Sequence, residues 1–297
     1  MFTFDIFTDS AANLPDDLIA KYGITVIPYT VLVNGQEQVC YDPAVSTTET
    51  AKAFYARMRA GADIKTSLVS EQAFVDALTP TLQAGRDALL VTISSGISGS
   101  FNQALQARET LLRQFPRRKI RICDSANASL GEGLLVLKAA VLRDANNSLD
   151  ACAEYVTRNA YKMNSYFSVA DLKYLRRGGR ISATLAIAGA IRNIKPILRA
   201  DGGTNAKIAF FGKAHGRKKA LAALVDAYEK NADGLGPIAI AHADCEEDAQ
   251  FLAEMLREKG ATDIIIECYD ICTGTHVGPG TVALFFSGKD RRVAEMP

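Results

Sequence analysis

Three segments of this sequence combine small hydroxyl residues with acids or glycines where a strand should end. They are Thr8-Asp9-Ser10-Ala11, Ser94-Ser95-Gly96-Ile97-Ser98-Gly99-Ser100 and Asp124-Ser125-Ala126-Asn127. Asp, Ser and Asn in such places are also ordinary helix caps, and for the first and third segments capping is the favoured reading. The second packs four serines and two glycines into seven residues, more than one cap requires. Glycines let a ligand approach the backbone, and the N–H groups that open the next helix attract an anion. The chemistry indicated is oxyanion binding. The segment has neither the glycine–lysine pattern of a nucleotide loop nor the nucleophile elbow of a serine hydrolase.

Three further elements carry polar groups. Lys65-Thr66-Ser67 precedes Ser70, a cap for the next helix, and by itself reads as a turn. Arg176-Arg177-Gly178-Gly179-Arg180-Ile181 suits a tight turn beside a guanidinium that could fork onto an oxyanion; a solvated basic loop is the alternative. Thr273-Gly274-Thr275-His276-Val277-Gly278-Pro279-Gly280 reads as a rigid loop presenting one imidazole. His215 and His242 have weaker claims. With three histidines and no zinc-type spacing, no metal centre is expected. The six scattered cysteines read as reduced core thiols.

The elements that must position these groups alternate in the first half. Strands are expected at 2–8, 25–33, 88–93 and 120–123, and helices at 14–21, 47–60, 71–82, 98–114 and 130–144. This is the pattern of a parallel sheet, whose strand ends share one edge where ligands bind. After a helix at 149–161 the pattern becomes mixed. It has strands at 166–169, 196–199, 207–211, 238–242, 263–269 and 282–287, a short helix near 172–176, and helices at 216–230 and 246–259. The pair around Asp201-Gly202-Gly203 reads as a hairpin.

Bulk properties exclude several classes. The chain has 297 residues, 48% hydrophobic and 23% charged, and a net charge of +1. No basic field is present to attract nucleic acid. No run approaches 18 apolar residues, and residues 1–10 read as a strand rather than a targeting peptide, so a cytoplasmic protein is expected.

Taken in order and spacing, these pieces resemble the DegV family. The matching residues are Asp9-Ser10-Ala11, Thr66-Ser67, the segment 94–100, Asp124-Ser125, Leu172 to Ile181, Lys195-Pro196-Ile197-Leu198 and Gly274 to Gly280. Leu68-Val69 stands where the family usually has Gln-Pro, which removes a stiffening proline.

The resemblance implies an α/β protein of two domains, related to dihydroxyacetone kinase and mannose-type phosphotransferase components. Residues 1–162 would form a Rossmann-like parallel-sheet α/β/α domain with the head-group loops, and residues 163–290 a mixed-sheet α/β domain. A tunnel between them would hold a long-chain fatty acid, C14–C18 such as palmitate, with no cofactor. The carboxylate would sit on Thr66 and Ser98, with His276, Arg180 and Ser95 supporting. Apolar stretches 183–191, 194–198 and 284–286 would wall the chain. The implied partners are a separate fatty acid kinase that makes an acyl phosphate and, in passing, a membrane surface. No catalytic residue is implied. A phosphotransferase or a serine hydrolase using Ser98 and His276 is the alternative.

Overall fold

A computed structural model describes residues 3–45, 47–181, 194–203, 207–234 and 236–293. The first half builds a parallel sheet. β1 (Phe4–Asp9) is followed by a 3-10 turn and α1 (Asp16–Tyr22), then β2 (Ile24–Ile27). α3 (Glu71–Gln83) leads to β6 (Asp87–Thr92), and α4 (Ser100–Gln114) to β7 (Ile120–Asp124). The strand order is β2-β1-β6-β7, with every pair parallel. The order reverses between β1 and β6, so a crevice opens beyond their carboxyl ends.

The expected strand 25–33 is in fact two. It breaks at Pro28-Tyr29, and β3 (Thr30–Val33) leaves for a separate sheet between β4 (Gln36–Val39) and β5 (Ile64–Ser67). Pro28 has no N–H to continue the ladder. α2 (Thr47–Arg59) lies between β4 and β5 in sequence.

α5 (Leu130–Asp144) and α6 (Leu149–Asn159) lead into the second half. There β8 (Met163–Ser168), β9 (Ile194–Ala200), β10 (Ile208–His215), β11 (Ile238–His242), β12 (Ile264–Cys268) and β13 (Val282–Ser287) form one mixed sheet. Its order is β10-β9-β8-β13-β11-β12, in which β11–β12 is the parallel pair. β9 and β10 are antiparallel, as the hairpin reading requires. α7 (Lys173–Arg177), α8 (Arg217–Asn231), α9 (Glu246–Glu258) and α10 (Ile271–Val277) complete the described elements.

Alternation along the strands sorts this sheet's side chains. Tyr166, Ile238, Ile240, Leu284 and Phe286 face α8 and α9. Phe167, Ala239, Ala241 and Phe285 join the core of the first half. The element between the two sheets is α5. It touches β1 and β6 on one side and β8, β11 and β13 on the other. A helix covered on two sides needs apolar or small residues on both, and Leu130, Gly131, Gly133, Leu134, Leu135, Val136, Ala139 and Ala140 are buried, together with Glu132 and Arg143. Lys138 and Val141 lie on an exposed flank. Among the described residues no helix is long and apolar enough to cross a membrane.

Candidate functional site

Beyond the carboxyl ends of β2, β6 and β7 lies a cavity of about 260 Å³, walled from both halves of the chain. Thr66, Ser98, Arg180 and His276 all line it. Ser95 does not: it is exposed, and its backbone N–H donates to Asp124 Oδ1 at 3.2 Å. Of the expected wall stretches, Phe285 borders the cavity, Ile197 and Leu198 belong to the core, and 183–191 falls outside the described residues.

Each polar residue is held by its own element. Thr66 is on β5 opposite Val31, not in a turn, and alternation sets it on the inward side with Ile64. His276 is on α10, where a loop was expected. Asp270 caps that helix, accepting from Thr273 N at 2.9 Å. Cys272, Thr273, His276 and Val277 line the cavity as one helical face. Glycine and threonine disguised this helix, since both have low helix propensity.

The segment carrying Ser98 is gripped from beneath. Asp9 Oδ2 accepts from Ile93 N at 2.9 Å, and its Oδ1 from Ala11 N at 3.0 Å. Asp124 Oδ1 accepts from Ser95 N and Ala126 N. The acids of the first and third segments therefore act on backbone, and the second segment, with Ala126 and Asn127 of the third, supplies cavity wall.

Four segments close a ring around the polar end. Thr66 Oγ1 is 3.0 Å from His276 Nε2. His276 Nδ1 lies so close to Gly178 that a Cβ there would sit 2.3 Å from it, so glycine is required by contact. Arg180 donates from Nη1 to Gly178 O and from Nε to Ile97 O, the latter at 3.1 Å. Ser98 Oγ is 3.1 Å from Tyr29 Oη and 3.0 Å from Ser100 Oγ, and Val69 N donates to Ser100 Oγ at 3.2 Å. Ser100 belongs to the segment the sequence singled out, but Tyr29 went unnoticed there. Tyr29 follows a proline at a strand break, and nothing local marks it as a wall residue.

The electrostatics favour an anion without a fixed charge pair. Burial, aided by Arg180 and Arg177, pushes the His276 imidazole down to about 4, so it is neutral near pH 7. Burial holds the Tyr29 phenol well above its usual range, so it stays a donor. The amino end of α4 adds a positive dipole beside Ser98 and Gly99. Among the described residues no cluster of His, Cys, Asp or Glu could hold a metal ion.

Burial raises Asp9 to about 7 and Asp270 to about 6. In the unfolded chain both ionise near 3.8. Between those values the folded state holds protons that the unfolded state has lost, so stability falls as pH rises from about 4 to 7. His276 acts oppositely, removing stability as pH falls from 6.5 towards 4. Urea midpoints from pH 4 to 8 should therefore show wild type losing ground to Asp9→Asn as pH rises to 7. A constant difference between the two would mean that Asp9 ionises normally.

Comparison with known proteins agrees with this architecture. Residues 3–289 match the DegV family model, described as an uncharacterised protein family. A DegV domain-containing protein of Clostridium perfringens is 41% identical over 292 residues, covering 97% of this chain and 98% of that one. One from Lactococcus lactis is 32% identical, covering 98% and 99%. The fatty-acid-binding DegV protein of Thermus thermophilus superposes with a TM-score of 0.85 at 28% identity, covering 97% of this chain and all (100%) of that one. The Streptococcus pneumoniae fatty acid kinase (Fak) B3 protein, solved loaded with linoleic acid, gives 0.83 at 25% identity over 97% and 100%. Family model, relatives and structures each span nearly the whole chain, and the chain belongs to the DegV family.

Proposed function

We propose that this protein binds one long-chain fatty acid, with its carboxylate at Thr66 and Ser98 and its acyl chain in the cavity. The observation that carries the reading is the closed ring of Thr66, His276, Gly178, Arg180, Ile97 and Ser98 at the polar end of a largely apolar cavity. With the His276 proton on Nε2, the ring donates to Thr66 Oγ1, and the Thr66 hydroxyl is left to donate to a carboxylate. Ser98 and the amino end of α4 complete the donors, and Arg180 adds charge nearby. A buried carboxylate needs this many partners. An acyl chain of about 14 methylenes gains on the order of 11 kcal/mol relative to water at roughly 0.8 kcal/mol per CH2, so the cavity can match what a membrane offers the same chain and the head-group bonds decide the exchange.

In this reading residues 1–162 bring most of the head-group loops, and residues 163–290 bring His276, Arg180 and much of the chain's wall. Ser95 acts through its backbone. The Fak B3 relative supports a separate kinase as the partner that phosphorylates the bound acid. A hydrolase reading is weakened because the bonds of Ser98 Oγ run to Tyr29 and Ser100, while His276 Nε2 pairs with Thr66. Mass spectrometry of gently purified protein should find a C14–C18 acid. Repeated absence, together with no binding of added palmitate, would reject the proposal.

A further inference from the structure

The cavity has polar groups besides the head-group ring. Asn127, Ser129 and Ser165 also line it. Ser129 is 1% exposed, and its hydroxyl has no hydrogen-bond partner among the described residues. Ser129 is the N-cap of the fifteen-residue α5, a position where a serine hydroxyl usually accepts from the first turn. Here it makes no such bond, and its backbone sits at φ 54°, ψ −146°. Glu132 N and Gly133 N go instead to the Ser129 carbonyl, at 2.9 and 3.0 Å. An L-residue held at positive φ beside a cavity, with its hydroxyl unspent, marks a constraint that capping does not explain.

The neighbours are spent in a particular way. Asn127 Nδ2 donates to Ser125 O at 2.8 Å and to Ala160 O at 2.9 Å. Asn127 Oδ1 receives the Ser165 hydroxyl at 2.9 Å. The Ser165 hydrogen is thus committed, while its oxygen keeps lone pairs to accept with. Asn127 Oδ1, Ser165 Oγ and Phe285 Cδ1 all lie 3.0 Å from where a Cβ on Gly131 would be, which packs them against the first turn of α5, beside Ser129. The wall therefore offers one hydroxyl donor, one hydroxyl acceptor and the positive end of a buried helix.

We propose that Ser129 and Ser165 form a second polar subsite that takes a hydroxyl group carried on the acyl chain. The ligand class is a monohydroxylated long-chain fatty acid. Ser129 donates to the chain's hydroxyl oxygen, and that hydroxyl donates to Ser165 Oγ. A carbonyl would use only the first bond, and a methylene neither. The inference rests on the fatty-acid reading of the cavity.

The test measures affinity for stearate and for a series of monohydroxystearate positional isomers, by displacement of a fluorescent fatty acid. Wild type is compared with Ser129→Ala and Ser129→Gly; glycine removes the same hydroxyl and tolerates the positive φ. One isomer should bind wild type roughly fivefold tighter than stearate, the size of one net hydrogen bond. In both variants the ratio should fall to one or below. The subsite is overturned if no isomer exceeds stearate, or if the preference survives in both variants. It is also overturned if stearate and the preferred isomer weaken in proportion, which would assign Ser129 to holding the wall or a water. Failure of every acid, stearate included, would overturn the fatty-acid reading as well, so the two failures are distinguishable.

Discussion

Thr66→Ala combined with Ser98→Ala should lower fatty-acid affinity by more than about a hundredfold, because in the proposed binding mode each hydroxyl gives a hydrogen bond to a charged group worth roughly 1.5–3 kcal/mol. His276 is pushed down to about 4, so near pH 7 it has no charge with which to compensate. Losing Thr66 also leaves His276 Nε2 without its partner at 3.0 Å. Losing Ser98 leaves the Tyr29–Ser100 bond of 2.7 Å in place, so the wall itself should persist. Displacement titration with palmitate measures the loss, and thermal melting checks that the double variant is folded. A folded double variant within a few-fold of wild type would show that the carboxylate lies elsewhere.

Gly133→Ala should be the most damaging single methyl in α5. The added Cβ would lie 2.6 Å from the Ala12 carbonyl oxygen and 2.8 Å from Leu14 Cδ2. The carbonyl is backbone just after β1 and the side chain is buried, so neither can swing aside. Overpacking of this kind costs about 1–3 kcal/mol, which in a chain of this length corresponds to a melting temperature lower by about 2–5 °C. Gly212→Ala is the control, since no atom lies within 4 Å of its Cβ position and its φ is ordinary. Equal melting temperatures for the two variants would mean that α5 is not packed as described.

The strand–helix alternation of the first half was legible because each element carries its own period. The 88–93 run is continuously apolar, as a strand covered on both faces must be, and β6 is buried nearly throughout. The site was legible in pieces. Serines and glycines at 94–100 pointed to an anion site, and the structure brings Ser94, Ser98 and Gly99 to one cavity with Thr66, Arg180 and His276. What escaped depended on long-range contact. Thr66 reads as a turn until β5 pairs with β3, more than thirty residues away in sequence. α10 reads as a loop because Gly274 sits mid-helix, where a Cβ would strike Tyr55 Oη at 2.1 Å. The resemblance, not the local residues, brought Thr66 forward as a ligand.

The position of α5 bears on how the chain can be divided. Sheet order separates residues before and after 162, yet one hydrophobic cluster joins Phe4 and Leu89 to Phe167 and Phe285. A segment ending near 162 would keep α5 but leave bare the flank that meets β8, β11 and β13. A segment beginning there would have Phe167 and Phe285 without their cover. The topological unit and the packed unit are therefore different sizes. The two sheets are expected to melt in one transition, and widening the cavity between them would loosen the helix on which both are seated.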